Sequence, residues 1–255
     1  MKVSSLASGS SGNCYYVENG NDALLVDAGI SCKQIWEKIG EVGGDVNKVK
    51  GIFITHEHGD HIKGVDVFAR KFNVPIFTPR KIAENFFLCS NPDLINPIKK
   101  DEHLKLGSLN IQAFPKSHDA VDPVSYTIEN GKKLSIITDI GFISDNVKDF
   151  ISDSDFLIIE SNHDKNMLLE GPYPWFLKNR INSDRGHLSN VDSAVGVLQY
   201  AQPHLKNLML AHLSQTNNTP NLAYNFFKNV LKDSRALTPN LMVADRFSAS
   251  SLMKV

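Results

Sequence analysis

The chain has little cysteine: Cys14, Cys32 and Cys89 are all it holds in 255 residues, with no C-x-x-C spacing. An odd, scattered set excludes a disulfide framework and a cysteine-built zinc knuckle, and reads as buried or free thiols. Charge of either sign is also missing in excess, since 27 basic residues face 28 acidic ones for a net charge of −1. That balance excludes a protein that coats nucleic acid through its overall field, while leaving room for a local basic patch. No apolar run nears the roughly 18 residues that a spanning helix requires. The opening residues MKVSSL lack the apolar core of a signal peptide. These absences lead us to expect a cytoplasmic protein without membrane association. No repeat or low-complexity segment interrupts the chain, so one domain over residues 1–255 is expected.

What is present is an ordinary globular mixture, 42% hydrophobic and 22% charged, enough for a sizeable core. Strand patterns fall at Lys2–Ala7, Cys14–Glu18, Ala23–Asp27, Gly51–Thr55, Val74–Thr78, Leu109–Phe114, Val124–Glu129, Lys133–Thr138, Phe156–Glu160 and Asn207–Ala211. Asn130-Gly131 supplies a hairpin turn between two of them. Helical spacing appears over Ser31–Ile39 (Ile35, Trp36, Ile39), after His61, over Arg80–Cys89, Val191–Tyr200 and Leu222–Val230. The six-residue loop Ser8–Asn13 is rich in glycine, which suits a flexible linker as well as a sharp, ordered turn facing a site. Residues 171–189 read as irregular. The pattern as a whole is α/β, a sandwich with helices outside.

The chemistry gathers at His56-Glu57-His58-Gly59-Asp60-His61, directly after a buried strand. Alternate residues of an extended segment point the same way, so His56 and His58 can grip one ion. Asp60 and His61, around the following turn, can reach a second. Imidazole and carboxylate donors suit zinc, manganese or iron, and the lack of cysteine donors speaks against a purely structural zinc. Two shells need more donors, and His118, Asp139 and His212 each stand at the end of an expected strand. Singly, each would pass as a capped or solvent-facing strand end. Together with the histidine run they converge, and a bridging carboxylate would hold two cations about 3.5–4 Å apart.

Thr55–His61, with Asp27 upstream and His118, Asp139 and His212 downstream, resembles the metallo-β-lactamase superfamily over nearly the whole chain. The resemblance implies a four-layer αββα sandwich with a dinuclear centre at one edge. It gives His56, His58 and His118 to the first metal and Asp60, His61 and His212 to the second. Asp139 would bridge them, with Asp27 supporting the site from behind. Longer strings, LASGSSGN from Leu6, ESNHD from Glu160, GPYPW from Gly171 and GHLSN from Gly186, resemble the YycJ/WalJ group, which is linked to DNA exonuclease activity.

The chain departs from the β-lactamases proper in placing Asp139 where a cysteine is common. It departs from the ribonuclease J type in leaving only 48 positions between Asp139 and His187, too few for the large inserted domain. The resemblance further implies that His187 donates to the scissile phosphate or leaving oxygen. Asp60 would orient the nucleophile, a water acidified by two divalent cations, and Glu160 would orient a histidine such as His187.

The expected function is therefore a metal-dependent phosphodiesterase, with DNA as partner and a 5′-to-3′ exonuclease cut. Lys178, Arg180 and Arg185, preceded by Tyr173, Trp175 and Phe176, offer cations for phosphates and aromatic faces for bases. The plainer reading of that cluster is a solvated loop whose aromatics pack on the core. His163 and Asp164 are second choices for the site, and His103 and His204 read as surface residues. Competing functions are a glyoxalase-type thioester hydrolase, a lactonase, an amide hydrolase, or a non-catalytic binding fold. A complete donor set weighs against the last.

Overall fold

The computed structural model describes residues 1–255 except 233 and 235. The apolar runs that mark the sequence become two seven-stranded sheets among the described residues. The first is built from β1 (Lys2–Ala7), β2 (Cys14–Asn19), β3 (Asp22–Val26), β4 (Val49–Phe53), β5 (Ile76–Pro79) and β6 (Ile95–Ile98) in chain order. The second runs, edge to edge, β7 (His103–Leu106), β8 (Leu109–Pro115), β9 (Val124–Glu129), β10 (Lys133–Ile137), β11 (Phe156–Glu160), β12 (Asn207–Ala211) and β13 (Asn240–Val243). β14 (Met253–Lys254) returns to pair antiparallel with β1, tying the end of the chain to its start.

Helices cover the outer faces. On the first sheet lie α1 (Cys32–Glu41), the single turn α2 (Gly59–Ile62), α3 (Val65–Phe72) and α4 (Arg80–Asn85). On the second lie α5 (Asp145–Ser152), α6 (Lys165–Glu170), α7 (Trp175–Ile181), α8 (Asn190–Tyr200) and α9 (Pro220–Lys232). Three apolar layers result. Val3, Tyr15, Leu24 and Phe53 meet Ile111, Tyr126, Ile136 and Ile158 between the sheets. Ile35, Ile39 and Phe68 seal the first sheet beneath its helices, and Val147, Val197 and Phe227 seal the second. This is the αββα sandwich.

Local chemistry explains the elements. α1 starts at a capping box in which Ser31 and Gln34 satisfy each other's backbone amides. β11 is buried at all five positions, as an internal parallel strand between β10 and β12 should be. Two expectations are corrected. Trp36 does not face the core: it is 50% exposed, because Ile35 and Ile39 fill the inward stripe of α1. The stretch 171–189 is not irregular throughout, since α7 forms after Pro174, a residue suited to a helix start.

The parallel strands matter for function. β3, β4 and β5 run together in one sheet and β10 to β13 in the other. Their carboxyl ends open on the same edge, where ligands of such sheets bind.

Candidate metal centre

The loop after β4 carries His56 and His58, and α2 then turns Asp60 and His61 back over them, with His58 at the helix cap. Gly29 makes this turn possible, for a Cβ there would stand 1.7 Å from the Asp60 carbonyl oxygen. From the second sheet, His118 follows β8, Asp139 follows β10, Glu160 ends β11 and His212 follows β12. Asp27, Asp139 and His212 leave their strands at φ of +60°, +55° and +54°. This left-handed backbone disfavours side chains and recurs at functional sites.

Candidate donor atoms of His56, His58 and His118 lie within 4.8 Å of one another, and the same holds for Asp60, His61 and His212. Asp139 stands between the groups, with Oδ2 3.4 Å from His61 Nε2 and Oδ1 3.4 Å from His212 Nδ1. Asp60 Oδ2 lies 3.5 Å from His61 Nε2 and 3.6 Å from His212 Nε2.

On four of these five histidines the other ring nitrogen is engaged by the protein. His61 Nδ1 meets Asp27 at 2.7 Å, His118 Nδ1 meets the Gly186 carbonyl at 3.2 Å and His56 Nδ1 meets the Thr55 hydroxyl at 2.9 Å. Glu160 Oε1 accepts from His187 Nδ1 at 2.8 Å and His212 Nδ1 at 2.9 Å. Its Oε2 accepts the amides of Ile140 and Leu188. Asp27 also accepts from the amide and hydroxyl of Thr55. An imidazole that donates through Nδ1 keeps a lone pair on Nε2, the arrangement that holds a metal ligand in place.

The fit to cations can be tested on the buried atoms themselves. Among the described residues, His56 Nε2, His118 Nε2, His212 Nε2 and Asp139 Oδ2 are buried without a hydrogen-bond partner. Three orphaned ring nitrogens and a carboxylate oxygen in one place are costly unless a ligand satisfies them, and a cation suits that set. Burial pushes the pKa of His56 well down and that of His118 down to about 4, which keeps both neutral and ready to ligate. For His61 and His212 burial acts the same way but is outweighed. Asp27 and Asp139 raise the first, and Asp139, Asp60 and Glu160 raise the second to about 10. Glu160, despite burial, is held down at about 2 by His187 and His212. The residues fit divalent cations.

Not every expected residue joins this cluster. His187 does, 21% exposed on the open side, with Asp119, Tyr173, Leu177 and Arg180 lining a cavity of about 190 Å³ beside it. Arg180 is already paired with Asp119 at 2.5 Å. Lys178 turns its ammonium to the Leu169 carbonyl and lines a different cavity, while Arg185 is exposed. Trp175 and Phe176 are 67% and 74% exposed rather than packed on the core. Asp164 caps α6 through the amides of Asn166 and Met167. His163 is buried outside the donor groups, and His103 and His204 are on the surface.

Three residues near the centre were given no role from the sequence, although Asn13 ends the Ser8–Asn13 loop. Asn13 donates to Asp60 Oδ2 at 3.1 Å and lies 3.0 Å from His61 Nε2. Lys116 is buried with its ammonium on the Thr138 carbonyl, and that burial lowers its pKa. Arg246 reaches the Ser8–Asn13 loop from the far end of the chain.

Strands opening on one edge and histidines converging there define a hydrolase architecture, and residues 23–212 match the beta-lactamase superfamily domain. The chain belongs to the beta-lactamase superfamily and has the metallo-β-lactamase fold. It is 39% identical to exodeoxyribonuclease YycJ of Bacillus anthracis, over 91% of this chain and 90% of that one. It is 38% identical to exodeoxyribonuclease WalJ of Streptococcus pneumoniae, over 91% and 88%. The solved structure of Zn(2+)-bound PqqB from Methylobacterium extorquens superposes with a TM-score of 0.72 at 16% identity, covering 99% of this chain and all of that one. No helix among the described residues is long and apolar enough to cross a membrane.

Proposed function

We propose that the chain is a metal-dependent phosphodiesterase acting on nucleic acid, a 5′-to-3′ DNA exonuclease, working as one domain with two divalent cations, zinc or manganese, or iron. The observation that carries the reading is the set of buried ring nitrogens of His56, His118 and His212 and the carboxylate oxygen of Asp139, unpartnered among the described residues and facing one another across the sheets. The names of the two relatives near 39% identity support DNA as the substrate. The three cysteines are buried and unpaired, in keeping with the cytoplasm as its compartment.

When bound, the cations acidify water and neutralise the charge that builds on a phosphodiester. His56, His58 and His118 would hold one cation, and Asp60, His61 and His212 the other, with Asp139 between them. Asp60, partly exposed at the mouth, orients the attacking water. His187 presents Nε2 to the leaving oxygen while Glu160 grips its Nδ1, so the ring keeps one orientation through the proton transfer. Asp27 holds Thr55 and His61 from behind.

Digestion of end-labelled single- and double-stranded DNA and RNA by metal-loaded protein tests this. Mononucleotide release from 5′-phosphorylated DNA, abolished by a chelator, is expected. Intact nucleic acid together with turnover of a thioester would sink the nuclease reading.

A further inference from the structure

The loop Ser8–Asn13 sits at the mouth of the site and is anchored on both sides. Ser8 Oγ accepts the His212 amide at 2.8 Å, and Asn13 holds both Asp60 and the Gly9 amide. The guanidinium of Arg246, from the segment between β13 and β14, lies over this loop. Its Nη2 donates to the Leu213 carbonyl at 2.6 Å, one residue past His212. Its Nη1 stands 3.4 Å and 3.5 Å from the exposed hydroxyls of Ser10 and Ser11. Gly9 has φ +127°, and a Cβ there would come 2.9 Å from Nη1, so the loop backbone is shaped to let the guanidinium lie on it.

Among the described residues Arg246 has hydrogen bonds to these three oxygens and to no carboxylate. Its neighbour Asp245 makes no ion pair with it and uses Oδ1 to accept the amides of Phe247 and Ser248. A half-buried cation without an acid partner is costly to keep, and a guanidinium has five donors of which one is strongly used here. The rest form the planar fork that matches a phosphate. Arg180, by contrast, already has its carboxylate.

We propose that Arg246, with the hydroxyls of Ser10 and Ser11, forms a phosphate subsite that holds a non-scissile phosphate of the nucleic-acid strand beside His212. The subsite rests on the nucleic-acid reading above. It fixes the strand so that the neighbouring phosphodiester falls between Asp60 and His187.

The test is fluorescence anisotropy of 3′-labelled single-stranded DNA, carrying phosphorothioate linkages to slow cutting, with metal-loaded protein. Arg246→Gln keeps a donor for the Leu213 carbonyl and removes the charge. It should weaken binding tenfold to a hundredfold and reduce the slope of log affinity against log salt by about one. Loss of a preference for 5′-phosphate over 5′-hydroxyl DNA would identify the terminal phosphate. Equal weakening on both would identify an internal one. The Ser10→Ala/Ser11→Ala pair, expected to weaken binding by about threefold to tenfold, decides the matter if Arg246→Gln does not fold. Binding within twofold of wild type, with an unchanged salt slope, overturns the subsite and leaves the nuclease reading standing. Failure of the wild-type protein itself to bind DNA overturns both.

Discussion

The two sheets furnish the centre in different ways. The first delivers His56, His58, Asp60 and His61 from one loop and one helical turn, braced by Asp27 at the neighbouring strand end and by Asn13 and Thr55. The second delivers His118, Asp139, Glu160 and His212 one at a time, each from a different strand. A donor set within six residues is fixed by local geometry, and only its depth and tilt depend on the fold. A set spread over four strands exists only when all four are in register. Damage to the first half should therefore act through a brace, and damage to the second through a shared post, Glu160.

The largest effect should come where the halves meet. Asp139→Ala removes the second sheet's carboxylate from between His61 and His212 and should lower hydrolysis by about a thousandfold or more, with the far-ultraviolet dichroism unchanged. Dialysis against a chelator should abolish activity to a similar extent, and added zinc or manganese should restore it. Retained activity in either experiment would break the picture of a centre spanning both sheets.

Glu160→Gln comes next. It disturbs two histidines at once, and a loss of tenfold to a hundredfold in turnover or metal affinity is expected, the range seen when groups behind metal ligands are changed. Asp27→Asn on the other sheet should cost less, about tenfold in metal affinity, since Thr55 still meets His56. Titration with metal under competing chelator would rank them, and an Asp27 variant weaker than the Glu160 variant would reverse the comparison.

The smallest expected effect lies far from the centre, where Asp22 links the sheets. Lys50 in β4 and Ser108 in the β7–β8 turn hold its carboxyl down at about 2. A depressed carboxylate adds stability that is present above its unfolded value near 4 and lost as pH falls through 2. Asp22→Asn should therefore lower the melting temperature by a few degrees near neutrality and by progressively less between pH 4 and 2. A constant difference across that window would show that the ion pair is not the cause.

The same contrast explains what could be read in the sequence. The run from His56 to His61 was legible because its spacing is local. His118, Asp139, Glu160 and His212 were legible because each closes an apolar strand. The edge strands β6, β7, β13 and β14 left little pattern, being two to four residues long. α7 was hidden by the prolines and glycine ahead of it. The roles of Asn13, Lys116 and Arg246 could not be found from spacing, because the contacts that give them join separate elements, up to 236 positions apart in the case of Arg246 and Ser10.

The left-handed turns at Asp27, Asp139 and His212 carry a consequence for adaptation. Each residue holds a backbone shape that glycine would adopt more readily, at a cost on the order of 1 kcal/mol. A population selected only for heat resistance would gain by trading these three residues away, and would lose its catalyst one stabilising step at a time. Durability and chemistry pull against each other at the ends of three strands.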